Sequence, residues 1–126
     1  MKNVVLDAGA LIALDRGSAP VRAYVLLADR GKLALFTSSA VVAQVWRGGS
    51  RQARLTRFLG SDLVSEIPLD PEAGRRIGVL AAAVSSRDVV DGHVALLALD
   101  RDAVVLTSDR EDIARWGVAD EKIVDC

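Results

Sequence analysis

Several residue types that define whole classes of protein are scarce in this sequence. Of its 126 residues, one is cysteine (Cys126), one is histidine (His93) and three are proline. A single cysteine cannot close an internal disulfide, and one cysteine with one histidine cannot complete a Cys/His zinc cage. The sequence therefore excludes a disulfide-stapled scaffold and a zinc finger, and it indicates a reducing compartment, for which we expect the cytoplasm.

Long hydrophobic runs are also missing. Asp7 and Asp15 interrupt the apolar N-terminal segment, and nowhere is an apolar run as long as the ~18 residues that a membrane span needs. The pattern predicts neither a membrane span nor a signal peptide. Because 51% of the residues are hydrophobic, the chain can build one core but is too short for two. We expect a single domain over residues 1–126.

Charge is nearly balanced overall but unevenly distributed. The formal net charge of −1 argues against a uniformly basic nucleic-acid binder and against an acidic tail. Residues 16–57, however, hold eight Arg or Lys against one Asp, a net charge of +7, whereas residues 58–126 hold seven basic against fourteen acidic residues, a net charge of −7. The two stretches therefore carry opposite fields.

Apolar periodicity predicts strands that alternate with helices. Short apolar or β-branched runs predict strands at residues 3–7, 33–36, 63–68, 103–107 and 122–125, the last at a sheet edge. Amphipathic stripes and caps predict helices at residues 8–14, 20–31, 39–46, 51–59, 71–84 and 88–99, and a short one after Asp109. This order predicts a three-layer α/β/α fold with a central, mainly parallel sheet of four to five strands.

Carboxylates stand where several of these elements begin or end. Asp7 ends the first predicted strand, Asp109 follows the fourth, and Asp88 and Asp91 open a helix one turn apart. The functional crevice of a parallel sheet lies outside the carboxyl ends of its strands, so three segments can bring acids together there. Mg²⁺ and Mn²⁺ prefer such oxygen ligands, and the bound ion would activate a water for attack on a phosphodiester.

Each acid also has a structural interpretation. Asp109 followed by Asp112 is typical of a helix N-cap with an acid at its third position, and acids at the start of a helix, such as Asp88 and Asp91, complement the helix dipole. For Asp7 the functional interpretation is favoured over the structural one, because a carboxylate that ends an apolar strand is costly to bury without a partner or a metal.

The lone histidine and the first tryptophan favour structural roles. His93 lies two residues after Asp91, on a different side of the helix, and we expect it to pack or to face solvent. Trp46 belongs to the apolar stripe of its predicted helix, so we expect a core residue and not a platform for stacking bases.

Three segments in order carry a family resemblance. The apolar strand that ends in Asp7, the segment that starts at Asp91-Gly92-His93, and Val-Val-Leu-Thr-Ser-Asp109 together resemble PIN-domain proteins, specifically the VapC-like toxin ribonucleases. The resemblance implies a Mg²⁺- or Mn²⁺-dependent endoribonuclease whose catalytic and metal-binding residues are Asp7, Asp91 and Asp109. It also implies an RNA substrate, a VapB-like antitoxin partner and a homodimer.

One position departs from the family pattern. The family usually adds a glutamate from the helix after the second strand, where this chain has Gln44. An amide oxygen can still bind a hard cation but brings no charge, so metal affinity should be weaker. Asp88 can supply the missing charge, which we favour; alternatively, the protein has lost activity and kept a PIN-like fold that binds RNA or a partner. A phosphoacceptor receiver-like domain is disfavoured, since its acidic pair and late lysine are absent.

A basic stretch follows Gln44. Its arginines are spaced four, three and three residues apart, so they would share one helical face if the helix resumes after Gly48-Gly49. Arginine forks suit phosphate, and an acidic catalytic centre needs flanking cations to hold RNA. The alternative is a solvated face. The candidate RNA-binding residues are Arg47, Arg51, Arg54 and Arg57.

Overall fold

A computed structural model describes residues 1–126 as strands that alternate with helices. Every predicted strand and helix is present, and the observed ends differ from the predicted ends by only a residue or two. The strands are β1 (Lys2–Leu6), β2 (Leu33–Ser38), β3 (Val64–Ile67), β4 (Val104–Thr107) and β5 (Ile123–Asp125). The helices are α1 (Ala8–Asp15), α2 (Ala19–Asp29), α3 (Ser39–Val45), α4 (Ala53–Leu59), α5 (Pro71–Val84), α6 (Val89–Arg101) and α7 (Arg110–Arg115), with 3-10 turns at Ser50–Gln52 and Asp120–Lys122.

All five strands form one parallel sheet in the order β3-β2-β1-β4-β5. The chain builds outward from β1 through β2 to β3, then crosses back to place β4 and β5 on the other side of β1. Right-handed crossovers therefore put α1–α4 on one face and α5–α7 on the other, which confirms the predicted α/β/α layers. The direction reverses between β1 and β4, and a crevice opens at such a switch point.

The two central strands form the middle of the core. Val4, Val5 and Leu6 of β1 are fully buried, and every residue of β4 is buried as well. Burial on both faces explains why these strands are unbroken apolar runs and not alternating ones. Because both strands are fixed along their whole length, the positions of the residues that follow them are fixed too.

Helix α6 packs against its neighbours with no room to spare. A Cβ placed on Gly92 would lie 2.8 Å from the ring of Trp116 and 2.9 Å from Ile77. Glycine therefore lets α6 approach α5 and the end of α7 closely at the residue next to Asp91.

None of the helices is both long enough and apolar enough to span a bilayer.

The segment after α3 differs from the prediction. Gly48 and Gly49 adopt positive φ angles of 75° and 95°, a conformation that favours glycine and ends helical geometry. The helix therefore stops at Val45, and Trp46 lies outside it with 40% of its surface exposed. The prediction that Trp46 is a core residue is wrong.

The same break separates the basic residues. The single helical face predicted for them does not form, because the helix is interrupted before it resumes at Ala53. Arg47 lies in the loop after α3, Arg51 lies in the 3-10 turn, and Arg54 and Arg57 lie on α4.

Candidate active site at the carboxyl edge of the sheet

Asp7 is a buried carboxylate that both neighbouring elements hold in place. It follows β1 directly, and its side chain is the N-cap of α1, with Oδ1 accepting a 2.6 Å hydrogen bond from the Ala8 N–H. Its Oδ2 accepts a 2.7 Å hydrogen bond from the hydroxyl of Thr107. Asp7 forms no ion pair with a basic residue, although only 5% of it is exposed. A carboxylate has about four acceptor sites, so lone pairs remain for a further ligand.

Thr107 links Asp7, which follows β1, to Asp109, which follows β4. Its hydroxyl donates to Asp7 and accepts a 2.9 Å hydrogen bond from the backbone N–H of Asp109. The loop after β4 also lies tightly on α1, since a Cβ on Gly9 would collide with the Ser108 hydroxyl. Sequence reasoning missed Thr107. The available signal was a polar residue that ends an otherwise apolar buried strand.

Asp109 does not behave as the predicted cap. It precedes α7, but its side chain makes no capping hydrogen bond to the backbone of that helix. Its pKa is raised, mainly by a side-chain hydrogen bond with Asp112, and further by burial and by the negative charges of Asp112, Asp7 and Glu111. The carboxylate of Asp109 therefore faces other acids and not the helix end.

Asp91 lies at the start of α6 under strong like-charge repulsion. Asp88 caps this helix by accepting a 3.1 Å hydrogen bond from the Asp91 N–H. The pKa of Asp91 is raised to about 7, mainly by burial. The negative charges of Asp88 and Asp7 and a hydrogen bond with Asp88 raise it further. Because the charge of Asp7 acts on both Asp91 and Asp109, the structure brings the three predicted acids into one neighbourhood.

These acids do not converge on a common point. No three His, Cys, Asp or Glu side chains are arranged as ligands of one ion. Each acid has a different nearest partner: the Thr107 hydroxyl donates to Asp7, Asp88 lies beside Asp91, and Asp112 lies beside Asp109. The donor chemistry nevertheless fits a divalent cation, because the acids are hard oxygen ligands that repel one another and have no basic partner.

The remaining predicted side chains divide between surface and core. Gln44 is exposed on α3, and its amide makes no hydrogen bond within the protein. His93 is buried, which confirms its packing role, and burial lowers its pKa. Its Nδ1 lies 2.6 Å from the hydroxyl of Ser38, which caps α3 by accepting from the Ala40 N–H. This pair, which sequence reasoning missed, ties α6 to the start of α3.

The basic residues differ in how free their side chains are. Arg54 donates to the backbone oxygen of Asp15, and Arg47 donates to the backbone oxygen of Trp46. Arg51 and Arg57 are exposed and make no hydrogen bond or ion pair. A cavity of about 900 Å³ lies between α2 and α4, where Arg22, Arg54 and Arg57 accompany an apolar lining.

Comparison with known proteins places the chain in a family. The model of the PIN domain matches residues 4–117, so the chain belongs to the PIN-domain family. Its fold is similar to that of a chain in the crystal structure of VapBC2 from Rickettsia felis bound to a DNA fragment from the VapBC2 promoter. The TM-score is 0.73, the sequence identity is 16%, and 98% of each chain is covered. It is also similar to FitAB bound to an IR36 DNA fragment, with a TM-score of 0.64, 17% identity, and 97% of this chain and 94% of that chain covered. A search of curated protein sequences finds no significant match.

Proposed function

We propose that this PIN-domain protein is a metal-dependent endoribonuclease and the toxin of a toxin–antitoxin pair. The observation that carries the proposal is the buried, unpaired Asp7, whose charge acts on both Asp91 and Asp109 at the switch point of the sheet. Unneutralised carboxylates at such a point are costly, and a divalent cation would remove that cost.

In this mechanism Asp7, Asp91 and Asp109 are the residues that would hold Mg²⁺ or Mn²⁺. When bound, the ion would lower the pKa of a water ligand and stabilise negative charge on the scissile phosphate. Thr107 holds Asp7 in place through its 2.7 Å hydrogen bond. Asp88 adds negative charge beside Asp91, in keeping with the compensation proposed for Gln44.

Arginines supply the substrate-binding part of the proposal. Cleavage at an acidic centre requires cations that hold the RNA backbone nearby. Arg51 and Arg57 support this role because no protein group occupies their guanidinium groups, whereas Arg47 and Arg54 contribute from partly satisfied positions.

The proposed partner is a VapB-like antitoxin, and the toxin pairs with a second copy of itself. The similar structures are VapBC2 and FitAB, each bound to DNA, and the fold matches each over nearly its whole length. The cavity between α2 and α4 is lined by apolar residues, three arginines and Asp29, and this net positive lining suits an antitoxin segment rich in apolar and acidic residues.

A catalytically degenerate PIN-like binding module is the second candidate. Gln44 in place of the usual glutamate favours it, and so does the absence of three acids arranged around one point. Such a protein would bind RNA or a partner without cutting RNA.

The test is cleavage of total RNA with and without Mn²⁺ or Mg²⁺ by the wild type, Asp7→Asn and Asp62→Asn. Asp62 is exposed and lies outside the acidic cluster, so its variant matches the chemical change without touching the site. We expect metal-dependent cleavage by the wild type and Asp62→Asn, and none by Asp7→Asn. RNA binding without cleavage by the wild type would establish the degenerate module, and equal cleavage by Asp7→Asn would contradict the proposed site.

A further inference from the structure

Trp46 is the one aromatic residue of the chain that is exposed, and it takes no part in the hydrophobic core. The chain has only two tryptophans, and Trp116 is 1% exposed whereas Trp46 is 40% exposed. Trp46 lies directly after α3, and its backbone N–H donates a 2.8 Å hydrogen bond to the Val42 oxygen. The indole is therefore presented to solvent from a fixed backbone.

Gln52 makes the surrounding loop rigid. Its Oε1 accepts hydrogen bonds from the N–H groups of Arg47 at 2.9 Å and Gly48 at 3.1 Å, and its Nε2 donates to the Val45 oxygen at 2.7 Å. One side chain thus closes the loop on both sides of Trp46. A surface held in this way loses little conformational entropy when a ligand binds.

The charge around Trp46 selects the class of ligand. No acidic residue occurs in the sequence between Asp29 and Asp62. Arg47 is the next residue along the chain, with its guanidinium on the Trp46 oxygen, and Arg51 lies in the turn that Gln52 ends. An aromatic side chain followed along the chain by arginines is a combination that suits single-stranded nucleic acid, with a base stacked on the ring and phosphates paired with the cations.

Helix α3 joins Trp46 to the carboxyl edge of the sheet, because it begins directly after β2. Helix α3 begins at Ser39, next to the Ser38 hydroxyl that lies 2.6 Å from His93, two residues past Asp91. A seven-residue helix is about 10 Å long, so Trp46 lies about that distance beyond the start of α3. A few nucleotides of an extended strand are long enough to cover the length of this helix.

We propose that Trp46 is a stacking platform for an unpaired base of the RNA substrate, with Arg47 and Arg51 at the flanking phosphates. This inference rests on the proposed ribonuclease function and adds to it a base-binding residue, Trp46, outside the cluster of acids.

The test measures binding of a labelled 12-nucleotide oligoadenylate RNA in EDTA, so that no cleavage occurs. Trp46→Ala should weaken binding about 5- to 100-fold, the range for one stacked base, while Trp46→Phe should retain most of the affinity. The slope of log K against log salt should not change in either variant, since no phosphate contact is lost. Arg51→Ala should reduce that slope.

Two further measurements separate stacking from general damage. An abasic strand of the same length should bind the wild type and Trp46→Ala equally. RNA should quench the tryptophan fluorescence of the wild type but not that of Trp46→Phe, in which only the buried Trp116 emits. In cleavage assays, Trp46→Ala should raise KM more than it lowers kcat.

Wild-type affinity for RNA in Trp46→Ala would overturn the inference, and metal-dependent cleavage by the same protein would leave the proposed function standing. A changed oligomeric state in Trp46→Ala at unchanged RNA affinity would instead assign Trp46 to a protein interface and also overturn it. A wild type that neither binds nor cleaves RNA would contradict both the inference and the proposed function.

Discussion

At Asp91, burial and neighbouring negative charge act in the same direction. Both favour the protonated acid, and the resulting pKa of about 7 leaves the carboxyl part protonated at neutral pH. A bound cation would reverse this preference, because it stabilises the ionised form. Metal binding and proton loss should therefore be linked.

We predict that Mn²⁺ binding near pH 6.5 releases a proton, because Asp91 must ionise to ligate. Titration calorimetry in two buffers with different ionisation enthalpies measures this release. Asp91→Asn should bind Mn²⁺ more weakly and release fewer protons. Proton release by Asp91→Asn equal to that of the wild type would assign the linkage to another group.

The same shift predicts the pH dependence of folding without metal. The pKa of Asp91 is higher in the folded protein than its ordinary value of 3.8. Its contribution to stability is therefore fully present below about pH 4 and is lost as pH rises through about 7. In urea denaturation with EDTA, the decline in free energy of unfolding between pH 5 and 8 should be shallower in Asp91→Asn. An equal decline would contradict this assignment.

The substitution at Gln44 gives a paired prediction. If Asp88 compensates for the missing charge, Asp88→Asn should lower cleavage at limiting metal, and Gln44→Glu should leave it unchanged or raise it. Asp88 also caps α6, so the thermal melting of each variant should be measured beside its activity. Unaltered cleavage by Asp88→Asn across metal concentrations would mean that this acid only caps the helix.

Sequence reasoning found the acids but not the groups that hold them. Asp7 and Asp109 are identifiable because they follow apolar strands, whose carboxyl ends must meet at one edge. The bonds of Thr107 to Asp7 and of Ser38 to His93 join residues 100 and 55 positions apart. Such pairs depend on side-chain placement in the folded protein, which no local pattern encodes.

At the scale of elements, the close packing of α6 beside the site depends on Gly92, which has no side chain. We predict that Gly92→Ala destabilises the protein, because overpacking against Trp116 and Ile77 costs about 1–3 kcal/mol and offsets the higher helix propensity of alanine. Gly78→Ala is the matched control: this exposed glycine of α5 has open space at its Cβ. The control should gain roughly 0.5–1 kcal/mol in urea denaturation. A stabilised Gly92→Ala would contradict the tight packing.

Helices and strands could be predicted where the hydrophobic period and the capping residues agree. The prediction failed where the conformation of one loop determines the positions of the side chains. The apolar runs of β1 and β4 and the Asp70-Pro71 start of α5 are local signals, and each element formed as expected. In the stretch from Trp46 to Gln52 the helix ends before Gly48-Gly49 as predicted, but Trp46 lies outside the core and the arginines share no helical face. Two left-handed glycines end the helix there, and Gln52 then satisfies backbone groups that a continued helix would have used.

At the scale of the whole molecule, the basic and acidic stretches have separate tasks in the proposed function. We predict that replacing Arg51 and Arg57 together by Ala weakens RNA binding and lowers the salt slope by about 1.4, roughly 0.7 per contact. Mn²⁺ affinity should hardly change. Arg75→Ala, an exposed arginine on the opposite layer, should leave the slope as in the wild type. An unchanged slope in the double variant would make these residues an ordinary solvated face.

Arg110 is unsuited to binding RNA, because its guanidinium is already paired within the protein. Arg110 pairs with Asp120 at 2.6 Å and Asp125 at 3.1 Å, and it also donates to the backbone oxygen of Ile123. Its role is to fasten α7 to the last strand. A basic side chain close to the acids along the sequence is therefore already neutralised within the fold.

The pairing of β1 with β4 has a consequence during synthesis. The central strand β1 is made before the other four strands, whereas its partner β4 and the Thr107 hydroxyl that bonds to Asp7 come about a hundred residues later. A nascent chain that ends after β3 can pair β1 with β2 and still lacks Thr107, Asp91 and Asp109. The proposed cutting centre therefore cannot be assembled before the residues of β4 and Asp109 have been added, about a hundred residues after Asp7.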